Sequence, residues 1–84
     1  MPASIYHPNY QFLRVAMVAA RKAAGLTQVE MAQRLNVGQS FVSKMERGDS
    51  YVDVMMLVDW CAACGVLPGV LLDPLVSSPP VPAT

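Results

Sequence analysis

The chain is poor in the residues from which catalytic and metal sites are built. Its 84 residues contain one histidine, His7, and two cysteines, Cys61 and Cys64. A structural zinc site needs four ligands, and a Cys-x-x-Cys pair with one distant histidine supplies too few. The sequence shows no nucleophile–base pair, no carboxylate pair in a plausible pocket and no phosphate loop. A chain this short also has little volume for a cleft, so neither an enzyme nor a metal or other cofactor is expected. No apolar run reaches the ~18 residues that span a bilayer. The opening "MPASIYHPNY" lacks the charged and apolar regions of a signal peptide. These absences point to a soluble, cytoplasmic protein. No internal repeat is present.

Basic residues are missing from everything after Arg47. Arg14, Arg21, Lys22, Arg34, Lys44 and Arg47 all precede Gly48, opposed there only by Glu30 and Glu46. Asp49, Asp53, Asp59 and Asp73 follow with no base among them. The formal net charge of zero therefore hides a balance of +4 in residues 1–48 and −4 in residues 49–84. A domain polarised in this way can turn a positive face to phosphates. Its modest size implies salt-sensitive binding with few phosphate contacts per subunit.

What is present is apolar and helical in pattern. Pro8 suits the first position of a helix. "NYQFLRVAMVAARKAA" then runs to Gly25, with Phe12, Val15, Ala16, Ala19 and Ala23 recurring at three- and four-residue steps as the expected buried face. Thr27-x-x-Glu30 is a capping box that opens a second helix, with Val29, Ala32 and Leu35 expected inward. "NVG" (36–38) is a turn too short to do more than set two helices at a steep angle. A third helix follows from Gln39 to Arg47, closed by Gly48, with Val42 and Met45 inward and Phe41 a candidate to join them. Asp53 caps a fourth that ends at Gly65. Its expected inner residues are Val54, Leu57, Trp60, Cys61 and Cys64, and the cysteines read as buried core thiols, with redox or metal chemistry the lesser alternative. A short fifth helix covers Pro68 to about Leu72. The expectation is an all-α, compact bundle of five short helices over residues 8–75. An N-terminal arm (1–7) precedes it and a disordered, proline-rich tail (76–84) follows.

Gln39, Ser40, Ser43 and Lys44 give a folded core little, because polar side chains on a short helix add no apolar burial. Such residues are ordinarily a solvated face. Here they belong to "GLTQVEMAQRLNVGQSFVSKMERG", residues 25–48, which closely resembles the signature of the Xre/Cro/phage-repressor helix-turn-helix family. The resemblance continues through "VDVMMLVDWCAACGV" and covers about residues 10 to 72. It implies a lambda-repressor-like fold and a transcriptional regulator whose third helix enters the major groove. Gln39, Ser40 and Lys44 are then the candidates for base readout, since Gln suits adenine, Lys suits guanine and Ser suits either. Gln28 and Ser43 are expected on phosphates, with Arg47 and Lys22 as weaker candidates. Arg21 and Glu46 match an ion pair that ties the first helix to the third, whereas Arg34 is expected to be solvated.

The resemblance further implies a homodimer on a pseudo-palindromic double-stranded operator, paired through Val66, Val70 and Leu71. The loop "DSY" departs from the family: Asp49 stands where many relatives carry a base. Gly38 occupies a cap position where Ser or Thr is frequent. Met55 and Met56 sit where relatives tend to be polar, a surface suited to a protein partner. Two functions stay open: a repressor or autoregulator, and an antitoxin that neutralises a toxin and regulates its own operon. A controller of a restriction-modification system is indistinguishable from the first.

Overall fold

The computed structural model describes residues 7–76. All of their regular structure is helical: α1 (Pro8–Ala23), α2 (Gln28–Leu35), α3 (Gln39–Arg47), α4 (Val54–Cys64) and α5 (Pro68–Leu72), with a 3-10 turn at Asp73–Leu75. Residues 1–6 of the expected arm and 77–84 of the expected tail lie outside the described residues.

Local chemistry sets the helix ends. The His7 ring accepts from the Asn9 N–H, and Pro8 needs no partner in the first turn. Thr27 and Glu30 form the reciprocal capping box of α2. The Thr27 backbone N–H first, and its hydroxyl second, hold the Glu30 carboxyl below its ordinary pKa. Asp53 caps α4 by accepting from the Met56 N–H at 2.7 Å. α3 and α4 close on Gly48 and Gly65, both left-handed. At Gly48 a side chain would also meet the Arg14 Cδ at 3.2 Å.

α2 packs on α3, α1 on α3 and α4, and α5 against α1 and α4. Between them lie Met17, Leu26, Met31, Ala32, Val42, Met45, Leu57, Trp60, Cys61 and Leu71. Trp60 is fully enclosed, and its indole N–H donates to the Met17 carbonyl at 2.9 Å. Three of these residues are methionines, whose unbranched chains fill irregular gaps between short helices.

The buried face of α1 is rotated from the expected one. Phe12 and Val15 are about half exposed, and Ala19 and Ala23 are exposed. Ala16 keeps its place, beside Leu13, Met17 and Ala20. Apolar residues surround much of α1, so periodicity alone leaves its phase open. The larger Leu13 and Met17 bury more surface than alanines do, and the same side carries Arg21 to its partner. Three further residues point outward against expectation. Val29 yields to Met31, while Phe41 and Val54 lie at helix starts where one side faces solvent. Among the described residues, no single helix is long and apolar enough to cross a membrane.

Candidate nucleic-acid interface

The α2–turn–α3 unit is held by its own backbone. Asn36 adopts the left-handed conformation (φ 57°) that ends α2, and the Val37 N–H returns to the Ala32 carbonyl at 3.0 Å. Gly38 then opens α3 without a side-chain cap. The first N–H groups of α3 are therefore left for an outside acceptor. Gln39, Ser40 and Lys44 are exposed on this helix, while Val42 and Met45 are buried beneath it.

A chain of hydrogen bonds runs from the core to that exposed end. Arg21 and Glu46 are both buried, and the guanidinium grips the carboxylate twice, with Nε–Oε2 2.5 Å and Nη2–Oε1 3.1 Å. Arg21 Nη1 donates to the Leu26 carbonyl, so each guanidinium nitrogen has a partner. Glu46 Oε1 also accepts from Gln28 Nε2 at 2.9 Å, and Gln28 Oε1 accepts from Gln39 Nε2 at 2.7 Å. A carboxylate only accepts, so it turns the Gln28 amide with its NH2 inward and its oxygen toward Gln39. Gln39 in turn spends one N–H on Gln28. Its oxygen and second N–H have no bond to a described residue.

The remaining basic residues are less free than their count suggests. Arg47 donates from Nε to Asp49 at 3.0 Å and from Nη1 to the Ser43 hydroxyl at 3.1 Å. Arg34, expected to be solvated, donates to the Ala63 carbonyl at 2.9 Å and supports the last turn of α4. Arg14 donates to the Glu46 carbonyl and to Gln11, which fixes α1 against the end of α3. Lys22 and Lys44 are exposed. The Arg21–Glu46 pair is already inside the +4 count, whereas Asp49 lies outside it, so the Arg47–Asp49 pair lowers the balance over residues 1–49 to +3.

The helix-turn-helix family model matches residues 18–71, well over half of the chain. The chain belongs to the Xre/Cro helix-turn-helix family. A solved Xre-family-like protein from Pseudomonas syringae pv. tomato str. DC3000 superposes with a TM-score of 0.77 at 43% identity, over 82% of this chain and 84% of that one. No curated protein matches. The family is one of DNA-binding regulators, and α2 and α3 are its paired helices in this member.

Two features of this helix-turn-helix protein are invisible in the linear sequence. The Tyr10 hydroxyl donates to the Ser50 carbonyl at 3.0 Å and accepts from the Val52 N–H at 2.9 Å, pinning the α3–α4 loop to α1. Tyr10 and Tyr51 also meet edge to face at 5.2 Å. The apolar C-terminal end also divides differently from expectation. Leu71 is buried in the chain's own core, so it is removed from the expected dimer surface. Val66 is half-buried against that core. Val70 is exposed, flanked by exposed Leu67 and Leu72. Met56 also packs on the core, which leaves Met55 as the exposed methionine of that pair.

Cys61 is buried and Cys64 half-buried, both as free thiols. Burial pushes the Cys61 thiol up. Burial, and then neighbouring Cys61, does the same to Cys64. A raised thiol is a poor nucleophile and a poor metal ligand at neutral pH.

Proposed function

We propose that this protein is a cytoplasmic, non-catalytic transcriptional regulator that binds a pseudo-palindromic operator as a homodimer, acting as a repressor or autoregulator. The observation that carries this reading is the Arg21–Glu46–Gln28–Gln39 chain, which ends in an oriented amide at the exposed start of α3. The free oxygen and N–H of Gln39 form the acceptor–donor pair that adenine N6 and N7 require. Ser40 and Lys44 extend the readout along α3. Gln28, Ser43, Arg47 and Lys22 take the phosphates beside it. One α3 reads only a few base pairs, so two subunits address half-sites about 10 base pairs apart, or a near multiple. Val70, with its exposed neighbours Leu67 and Leu72, takes the pairing role first expected of Val66, Val70 and Leu71.

The test is selection of bound duplexes from a random library, followed by sedimentation of the complex on one selected duplex. Enrichment of a two-fold sequence bound by two subunits supports the proposal. No enrichment over random duplex, or a single subunit at saturation, counts against it.

A second reading, an antitoxin that also regulates its own operon, draws on the exposed apolar residues of α4: Val54, Met55 and Val58. Stoichiometric co-purification with the product of an adjacent gene would favour it.

A further inference from the structure

The link between Arg47 and Asp49 is an odd piece of construction for a DNA-binding helix. Asp49 lies just past the C-terminus of α3, where the helix dipole already places negative charge, so a carboxylate there is locally unfavourable. Its position is not a matter of a loose loop. Gly48 turns left-handed, and the Asp49 N–H donates back to the Lys44 carbonyl at 2.9 Å. That closure sets the carboxylate beside Arg47, whose Nε lies 3.0 Å from Oδ2. Arg47 in turn reaches Ser43 one turn earlier along α3. The pair is more than half exposed on both sides. A pair so wet adds little to stability and exchanges partners readily.

We infer that Asp49 is an internal competitor for the phosphate backbone, and that it limits the affinity of this helix for any duplex. The inference rests on the DNA-binding reading. The carboxylate offers Arg47 the same charge-assisted acceptor that a phosphate oxygen would. To bind a phosphate, Arg47 must leave Asp49. The freed carboxylate then stays beside the DNA and repels it. Arg47 and Ser43 are thereby held on the protein until a well-fitted site brings other contacts to bear. Non-specific binding, which is almost purely electrostatic, is suppressed most directly.

The experiment measures binding of wild type, Asp49→Asn, Arg47→Ala and the double variant to a random-sequence duplex over 50–200 mM salt. Asp59→Asn, at an exposed position of α4, serves as a control with the same change in net charge. Asp49→Asn should bind more tightly than wild type and steepen the log–log salt slope by about 0.9, one extra phosphate. Its advantage over wild type should then grow about 3.5-fold as salt falls across that range. Arg47→Ala should abolish the gain, and Asp59→Asn should leave the slope unchanged. An Asp49→Asn slope equal to wild type overturns the inference. So does an equal steepening in Asp59→Asn, because net charge alone would then explain the effect. Failure of the wild type to bind any duplex would instead remove the DNA-binding reading itself, and this inference with it.

Discussion

Replacing Glu46 with alanine should unfold much of the population at moderate temperature, because of what it leaves behind. Arg21 is 7% exposed and would keep its charge with no carboxylate beside it. Removing one partner of a buried pair costs about 3–5 kcal/mol. Gln28 would also lose the acceptor that orients it. A domain of this size has a total stability of about 4–13 kcal/mol, so the loss is a large share. At about 4–8 °C per kcal/mol, the midpoint should fall by at least about 12 °C. Trp60 reports the transition: it is the chain's single tryptophan and is fully buried. Urea titrations followed by its fluorescence should shift in midpoint at constant slope. Arg21→Met and Glu46→Met, the single variants of the cycle, should be similarly harmful. The Arg21→Met/Glu46→Met double variant should recover at least half of the loss, since a packed apolar pair leaves no orphan charge. A Glu46→Ala loss below about 1 kcal/mol, or simple additivity in the cycle, would refute the claim that this pair is buried and coupled.

Other consequences are as concrete. Tyr10→Phe removes both loop hydrogen bonds but keeps the ring, so it should cost about 1–2 kcal/mol in the same titration; no change would mean that Tyr10 does not pin the loop. Leu71→Asp buries a charge in the core and should abolish the cooperative melt. Val70→Asp should leave the melt nearly intact yet shift sedimentation toward monomer, and a persistent dimer would move the interface off α5. Cys61 and Cys64 should react slowly with a thiol reagent in the native state, faster as pH rises toward their raised pKa values, and at once in urea. Immediate native labelling at neutral pH would show that they are not core thiols.

How much of this was legible in the sequence depends on the range of the interaction. Helix ends are local, and Thr27, Glu30, Asp53, Gly48 and Gly65 mark them within a few residues. Helix phase is less local. α1 is apolar on several sides, so only packing against Trp60 and the reach of Arg21 to Glu46 chose Leu13 and Met17 over Phe12 and Val15. α5 is too short for a period to show, which is why Leu71 looked available and proved buried. Gln28 and Gln39 could each be singled out from the motif. Their direct bond, and the continuation from Gln28 through Glu46 to Arg21, span three elements and have no linear signal. Nor does the contact of Tyr10 with Ser50, forty residues away.

The central claim is that Gln39, held by Gln28, reads a base. The direct measurement compares wild type and Gln39→Ala on a selected operator and on a scrambled duplex of equal length, by fluorescence anisotropy at one salt concentration. The expected result is a loss of about 1–3 kcal/mol on the operator, with scrambled-duplex binding nearly unchanged. Equal losses on both duplexes, or no loss on either, would contradict the account.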